Sequence, residues 1–373
     1  MSDDMEFNTK PNLRQFSPYK LLNHWDFINK TVEGKNLPPI TCEIDLSNSC
    51  NHNCSWCTYG NTRKNEFMPN EVFFSLLDEL AGLGIKAIVL NGGGEPTTHP
   101  AFSEILYKIK EKGMDIGIIS NGGLLDDELR RAIVDTTLYI RISLDAAKNE
   151  THNKIHDPKN PEKDNLDTIL DNIKKLVQLR DEKKKNIEIG VGFLVSRDNY
   201  DEILEATRTV KGTGADYIQI RPAIDYKEST PKKQCTNVGA MQQFPESMLF
   251  EIRKQTEDAR KMEDDGFKVI ALLYRFNEIV DRGRDYEKCY AHCVAGVVGA
   301  DCKVYLCCQH KLNPAFCIGD LRESSFSEIW NSKKRQDIIN SVNVNHCPPC
   351  KNNGHNKIFD YLAEKEKKHV NFL

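Results

Sequence analysis

Strand-like and helix-like segments alternate along residues 41–222, and this alternation limits the fold more than any other feature of the sequence. The predicted strands are 41–47, 86–91, 115–120, 138–144, 187–195 and 217–221. Helical patterns fill the gaps at 70–82, 101–112, 126–134, 165–180 and 199–212. Successive βα units imply parallel strands, because each crossover helix returns the chain to the same edge of the sheet. We therefore predict an α/β fold with a parallel sheet or barrel.

Some of these strands alternate polar and apolar residues, whereas a parallel strand covered on both faces is nearly all apolar. The polar side chains include Glu43, Asp45, Arg141, Gln219 and Arg221. A curved six-stranded sheet with a polar concave face fits this pattern, and small-molecule sites in βα folds occupy such places. Mutual pairing in a closed lumen, for example of Asp45 with Arg141, is the competing interpretation.

The chain has 373 residues and 13 cysteines, and its composition excludes several classes of protein. A net charge of −4 offers no basic face for nucleic acid. Residues 1–30 lack an apolar signal sequence, and no apolar run approaches the length of a membrane span. We therefore expect a cytoplasmic protein with no nucleic-acid or membrane partner. In that reducing compartment, clustered cysteines indicate metal ligands or catalytic groups rather than disulfides.

Three cysteines, Cys50, Cys54 and Cys57, form a C-x3-C-x2-C motif just after the first predicted strand. A loop of this length can turn three thiols toward one centre, and no fourth ligand follows nearby. An open coordination position is typical of a metal site that performs chemistry. Soft thiolates select zinc or iron–sulfur clusters. A zinc ribbon is the alternative, but it requires a fourth ligand.

Glycine-rich and polar segments lie at the carboxyl ends of the next three strands. They are Gly92, Gly93, Gly94 and Glu95 after the second strand, Ser120 and Asn121 after the third, and Ser143 and Asp145 after the fourth. Ligands of βα folds bind at these strand ends. The glycines let the backbone approach a ligand closely, and the Glu95 carboxylate suits a ligand ammonium group.

Taken in order, these motifs resemble those of the radical S-adenosylmethionine (SAM) superfamily over about residues 40–222. The cysteine motif, with Trp56 before its last cysteine, resembles the family's cluster motif, and Gly92–Pro96 resembles its GGE motif. The resemblance implies a partial (βα)6 barrel with a [4Fe–4S] cluster on Cys50, Cys54 and Cys57, and with SAM on the open iron. The residues expected around SAM are Trp56, Gly92, Gly93, Gly94, Glu95, Ser120, Asn121, Ser143, Asp145 and Leu194.

The same resemblance implies the chemistry. One electron from the cluster cleaves SAM into methionine and a 5′-deoxyadenosyl radical, which removes hydrogen from a substrate C–H bond. An electron donor such as flavodoxin or ferredoxin is the partner expected for that reduction.

A second cysteine group lies between residues 289 and 350, and it resembles the Twitch and SPASM extensions of this superfamily. The resemblance implies an auxiliary [4Fe–4S] cluster, and its expected ligands are Cys289, Cys307, Cys347 and Cys350. Cys293 in place of Cys289, and Cys308 in place of Cys307, remain open alternatives. No cysteine follows the closing pair, which favours Twitch with one cluster. A structural zinc ion on four thiolates is the competing interpretation.

The expected domain order follows from these assignments. It is a lead-in over 1–40, the radical SAM barrel over 41–222, a linker with a helix and a strand over 223–285, and the auxiliary-cluster domain over 286–373.

The expected function is that of a radical SAM oxidoreductase of the dehydrogenase or epimerase type. Its substrate is expected to be a small polar molecule, such as a sugar, sugar nucleotide or aminocyclitol, and the polar strand residues named above are its predicted contacts. Epimerisation would need a hydrogen donor, for which Cys235 and Cys317 are candidates. A peptide-modifying enzyme of the same superfamily is one alternative, and a zinc-stabilised binding module without catalysis is another.

Overall fold

The structure is a computed structural model that describes residues 17–60, 64–223, 244–276, 284–348 and 350–364. Its strands form one sheet. In chain order they are β1 (Thr41–Asp45), β2 (Ala87–Asn91), β3 (Asp115–Ser120), β4 (Tyr139–Ser143), β5 (Glu188–Val195), β6 (Tyr217–Pro222), β7 (Lys268–Ala271), β8 (Ala295–Val298), β9 (Lys303–Tyr305) and β10 (Cys317–Asp320). Across the sheet the order is β10-β9-β8-β1-β2-β3-β4-β5-β6-β7. Strand β9 is antiparallel to β8 and β10, and the other neighbours are parallel.

Helices connect the strands and cover one face of the sheet. In chain order they are α1 (Trp25–Val32), α2 (Asn70–Gly82), α3 (Phe102–Glu111), α4 (Asp127–Thr136), α5 (Asn149–His156), α6 (Leu166–Glu182), α7 (Ile203–Lys211), α8 (Glu246–Arg260), α9 (Ala291–Val294), α10 (Phe326–Trp330), α11 (Lys333–Ser341) and α12 (Asn353–Ala363). The six predicted strands correspond to β1–β6, and the five predicted helices to α2, α3, α4, α6 and α7, so the predicted α/β fold is confirmed. Helix α5 was not predicted from the sequence.

The core lies between the sheet and these helices. Each strand turns its apolar residues outward to the helices, and Ile44, Ile88, Ile118 and Ile140 are all fully buried in one continuous cluster. Burying one such side chain stabilises the fold by about 1.5–3 kcal/mol. The apolar half of the strand alternation therefore packs against the helices and leaves the polar half for the inside of the curved sheet.

The C-terminal strands continue the same sheet beyond β1. Strand β8 pairs in parallel with β1, with Thr41 opposite Ala295, and the β9–β10 hairpin follows. Helix α10 is tied to the barrel as well, because the backbone amides of Phe326 and Ser327 donate to the Glu79 carboxylate of α2, at 2.8 and 2.7 Å. A carboxylate at a helix N-terminus satisfies free amides and complements the helix dipole. The C-terminal region is thus joined to the barrel through both its strands and its helices.

The first and last described helices pack on each other. Leu21 and Ile28 of the N-terminal segment are buried in contact with Phe359 of α12. Among the described residues, no helix combines the length and the apolar character that crossing a membrane requires.

Candidate active site and cluster sites

A cavity of about 420 Å³ opens at the carboxyl ends of the parallel strands. The three cysteines of the C-x3-C-x2-C motif line it together with all ten residues predicted to surround SAM. These are Cys50, Cys54, Cys57, Trp56, Gly92, Gly93, Gly94, Glu95, Ser120, Asn121, Ser143, Asp145 and Leu194. Motifs spread over more than a hundred positions of the sequence therefore meet at a single place, which we call the barrel cavity.

The cysteine loop is held mainly by α5 and the turn after it. The backbone amide of Ser55 donates to Ile155 O at 2.7 Å, and that of Asn53 donates to His156 O at 2.9 Å. Asn51 extends the anchor, since its side chain donates to Asp164 and accepts from Asn121 Nδ2 at 2.8 Å. These bonds fix the direction of the loop, and with it the direction of the three thiols.

The Cys54 thiol lies beside two histidines. His156 Nδ1 lies 3.2 Å from its sulfur. Burial alone would raise the pKa of the Cys54 thiol, but His156 and His52 together outweigh burial and lower that pKa to about 6. The thiolate is the form that binds metal. Three thiols lining one cavity, one of them favoured as thiolate, fit an iron–sulfur cluster by donor chemistry.

His156 is a site residue that the sequence analysis missed. The histidines show no metal-binding spacing in the sequence, yet donor atoms of His52, Cys54 and His156 lie within 4.8 Å of one another. The available signal was indirect: His52 lies inside the cysteine motif, and His152 and His156 are four residues apart, on one face of a helix.

The glycine segment packs directly on the loop that follows β1. The amide of Gly94 donates to Ser47 O at 3.0 Å, and the amide of Glu95 donates to Ser49 O at 2.8 Å. A Cβ at Gly94 would collide with the backbone carbonyl of Ser49, immediately before the first motif cysteine. Glycine is therefore needed here for close backbone approach, as the sequence motif suggested.

Glu95 braces two strand ends. One carboxylate oxygen accepts from Ser120 Oγ at 2.8 Å and Thr97 Oγ1 at 2.7 Å, and the other accepts from the Asn121 amide at 2.7 Å. Burial raises the pKa of this carboxyl group. The Glu95 carboxylate thus already has protein partners on both oxygens, and its predicted contact with a ligand ammonium would be added to them.

Asp145 has a similar bracing role. Its backbone adopts a left-handed conformation with φ of 55°. Its carboxylate accepts from the Leu194 amide at 2.6 Å and lies 3.3 Å from His156 Nε2. Asp145 therefore links the ends of β4 and β5 to α5.

The predicted substrate residues divide into two groups. Glu43 and Arg221 line the barrel cavity, whereas Asp45, Arg141 and Gln219 lie outside its wall. Arg141 donates to Gln219 Oε1 at 2.9 Å. The alternative pairing of Asp45 with Arg141 is wrong, because Asp45 instead holds a lysine from the C-terminal region.

That lysine is Lys311, and its ion pair with Asp45 is buried. Lys311 Nζ lies 2.7 and 2.6 Å from the two Asp45 oxygens and 5.1 Å from the centre of the Tyr59 ring. Burial opposes the charge, but Asp45 outweighs it and raises the pKa of the Lys311 ammonium group. A second lysine, Lys351, pairs with Glu43. Both lysines line the barrel cavity, and the sequence analysis identified neither.

A second, smaller cavity of about 50 Å³ lies in the C-terminal region. Its lining includes all four predicted auxiliary ligands, together with one further cysteine; they are Cys289, Cys307, Cys347, Cys350 and Cys308. Cys308 also lines the barrel cavity, as do Glu43 and Gln309. The two cavities therefore share part of one wall. We call the smaller one the C-terminal cavity.

The remaining cysteines lie elsewhere. Cys293 is outside both cavity walls, and its sulfur lies 3.4 Å from His292 Nδ1. Cys317 also lines neither cavity, and its thiol faces Gly319 O at 3.5 Å. The other candidate hydrogen donor, Cys235, lies outside the described residues.

Family comparisons agree with this architecture. Residues 44–210 match the model of the radical SAM superfamily, and residues 289–352 match SPASM, an iron–sulfur cluster-binding domain. These matches identify a radical SAM domain and, C-terminal to it, a SPASM domain. The cofactors of the chain are accordingly SAM, a [4Fe–4S] cluster in the barrel, and auxiliary iron–sulfur chemistry in the SPASM domain.

Curated relatives match about half of the chain. The tungsten-containing aldehyde ferredoxin oxidoreductase cofactor-modifying protein of Pyrococcus furiosus is 30% identical over 185 residues, covering 46% of this chain and 48% of that protein. The sporulation killing factor maturation protein SkfB of Bacillus subtilis is 28% identical over 180 residues, covering 48% of this chain and 41% of that protein. The matched regions thus span about half the length of these relatives or less.

Solved structures share the fold over most of the chain. SuiB of Streptococcus suis bound to S-adenosylmethionine superposes with a TM-score of 0.61 at 13% identity, covering 87% of this chain and 72% of that one. Native anSMEcpe with bound AdoMet superposes with a TM-score of 0.59 at 17% identity, covering 81% of this chain and 83% of that one. At these identities the likeness establishes the fold alone.

The buried ion pair leads to a stability prediction. Replacing Lys311 with Met leaves the Asp45 carboxylate buried without a partner, so we expect a loss of about 3 kcal/mol in the free energy of unfolding. Anaerobic guanidinium denaturation followed by circular dichroism measures this. Lys261→Met, which removes a solvent-exposed pair with Asp258, should leave the midpoint unchanged.

A double variant separates a lost charge pair from lost packing. Lys311→Met combined with Asp45→Leu removes both charges and should recover most of the lost stability. A double variant as unstable as Lys311→Met alone would show that the pair is not the source of the loss.

The packing of Gly94 leads to a second prediction. Gly94→Ala pushes the Ser49 carbonyl and displaces the cysteine loop, so the reconstituted protein should lose about four irons per chain while its far-ultraviolet circular dichroism is unchanged. Gly82→Ala is the matched control, because a Cβ there meets nothing within 4 Å. Full iron content in Gly94→Ala contradicts the prediction.

The C-terminal cavity leads to a third prediction, which concerns the ligands of the auxiliary cluster. Cys289→Ala should reduce the iron content by about four per chain, whereas Cys293→Ala and Cys317→Ala should retain it, since those thiols lie outside the cavity. Iron and sulfide analysis after anaerobic reconstitution tests the ligand set, and loss of iron in Cys293→Ala but not in Cys289→Ala would reverse the assignment.

Proposed function

We propose that this protein is a radical SAM enzyme that removes hydrogen from a small polar substrate bearing hydroxyl groups and an anionic group. The observation that carries the proposal is the barrel cavity. It is lined by the motif thiols, by the strand ends predicted to bind SAM and by four basic side chains. When bound, SAM and its cluster supply a strongly oxidising carbon radical that can attack an unactivated C–H bond.

The chain's own residues divide the barrel cavity into two parts. We assign Cys50, Cys54 and Cys57 to the cluster, and we assign Gly92–Glu95, the polar ends of β3 and β4, Trp56 and Leu194 to SAM. These residues orient the cofactor and exclude water from it. The donor chemistry of three thiols in one cavity and the close backbone approach at Gly94 support this assignment.

The remaining wall of the barrel cavity is basic and sets the substrate class. It includes Arg221, Arg275, Lys311 and Lys351, with Glu43 as the facing carboxylate. Glu43 and Asp45 pair with Lys351 and Lys311. The four basic side chains support a substrate with a phosphate or carboxylate group, such as a sugar phosphate or a sugar nucleotide.

The position of the C-terminal cavity supports a net two-electron oxidation as the outcome. We assign one auxiliary cluster to Cys289, Cys307, Cys347 and Cys350. Its cavity shares a wall with the barrel cavity, which supports transfer of the second substrate electron in that direction. Epimerisation is the alternative outcome. A cytoplasmic flavodoxin or ferredoxin is our proposed electron donor.

Peptide modification is the second candidate function. It is favoured by sequence similarity to SkfB, whose name describes maturation of the sporulation killing factor, and by the fold likeness to SuiB, which has been crystallised with its precursor peptide SuiA. The basic cavity wall would then bind an acidic segment of a peptide.

Anaerobic reconstitution with iron and sulfide tests the enzyme class. We expect about eight irons per chain for two [4Fe–4S] clusters, and 5′-deoxyadenosine on addition of SAM and dithionite. Binding of zinc with no charge-transfer absorption and no 5′-deoxyadenosine would instead identify a zinc-stabilised binding module.

The substrate class is tested by comparing sugar phosphates with the unphosphorylated sugars and with acidic leader-type peptides. Phosphorylated compounds should accelerate formation of 5′-deoxyadenosine. For an active compound, Arg275→Gln should raise KM about tenfold or more, because a hydrogen bond to a charged group contributes about 1.5–3 kcal/mol. Arg131→Gln, on the exposed face of α4, is the control. Stimulation by a peptide alone would favour the second candidate.

A further inference from the structure

Three histidines cluster behind the cysteine loop, and the proposed function uses none of them. They are His52, His152 and His156, and all three are buried. Their ring centres are 4.8 to 5.7 Å apart. His52 and His156 both line the barrel cavity, and each has a ring nitrogen near the Cys54 sulfur. His156 Nδ1 lies 3.2 Å from that sulfur.

The hydrogen bonds of His156 define what its ring can do. Nε2 lies 3.1 Å from Leu144 O and 3.3 Å from an Asp145 oxygen, and both of these are acceptors. Nε2 must therefore carry a hydrogen. On the other side of the ring, Nδ1 lies 3.2 Å from Cys54 Sγ. A cysteine that ligates iron is a thiolate and can only accept, so a hydrogen bond between these two atoms has Nδ1 as its donor.

Asp145 holds the ring in this position. Its second carboxylate oxygen accepts from the Leu194 amide at 2.6 Å, and the Asp145 carbonyl accepts from Asn199 Nδ2 at 2.7 Å. Asp145 and His156 are each at most 2% exposed. The result is a buried carboxylate–imidazole–sulfur chain, a form in which outer groups orient and tune a metal ligand.

We propose that His156 is a positioning residue that donates a hydrogen bond to the Cys54 sulfur and thereby raises the reduction potential of the barrel cluster. This inference rests on the proposed assignment of Cys54 as a cluster ligand. A donor at the sulfur stabilises the extra negative charge of the reduced cluster, and hydrogen bonds to sulfur are among the factors that set such potentials. Burial strengthens the effect, because the local dielectric is low.

The chain Asp145–His156–Cys54 also gives Asp145 a second role. Its carboxylate contacts both the Leu194 amide on β5 and the His156 ring that faces the Cys54 sulfur.

The test is a redox titration of the reconstituted protein followed by electron paramagnetic resonance. The signal that changes on addition of SAM identifies the barrel cluster. In His156→Leu we expect its midpoint potential to shift to a more negative value, with iron and sulfide content retained. In His156→Gln, whose amide can still donate to sulfur, the potential should lie between those of His156→Leu and the unchanged protein.

The matched control is His152→Gln, because His152 is equally buried and lies one turn earlier on the same helix. Its potential should equal that of the unchanged protein. An unshifted potential in iron-replete His156→Leu overturns the inference. If His156→Leu fails to assemble a cluster, His156→Gln decides: an unshifted potential there overturns it, and a partial negative shift supports it. Absence of any SAM-responsive signal in the unchanged protein would instead refute the proposed function, and the role of His156 with it.

Discussion

The docking of the cysteine loop on α5 is the contact on which the site depends. Three thiols on a short loop cannot by themselves keep a common direction, because each residue retains its backbone freedom. Backbone bonds from Asn53 and Ser55 to the last turn of α5 remove that freedom. Asn51 and Gly94 then tie the same loop to β3 and β2. The geometry of the thiols is thus set by three neighbouring elements of the barrel.

A second set of contacts joins the barrel to the C-terminal region. Strand β8 extends the sheet from β1, and Lys311 and Lys351 reach from beside the C-terminal cysteines to carboxylates on β1. The pair of Lys311 with Asp45 is buried, and such a pair costs much to break but contributes little net stability. The two pairs matter mainly for position, since they place two cations of the C-terminal region in the wall of the barrel cavity.

The sequence predicted the parts of this structure that leave a periodic or spaced pattern. The six strands, five helices and motif positions follow from period-two and period-3.6 alternation and from fixed spacings. Helix α5 left no such pattern, because its buried residues, apart from Ile155, are Thr151, His152 and His156. The lysine pairs could not be predicted from the sequence for another reason. Lys311 and Asp45 are 266 positions apart, and a single lysine near a cysteine predicts no partner.

The continuity of the sheet from β7 to β10 also has a consequence for how the protein is made. Strand β1 is translated long before its neighbour β8 and before the two lysines in the wall of the barrel cavity. Pairings this distant in sequence are slow to form. Until β8 pairs with β1, the wall of the barrel cavity lacks Lys311 and Lys351, so the three motif thiols lie in a more open cavity than in the folded protein.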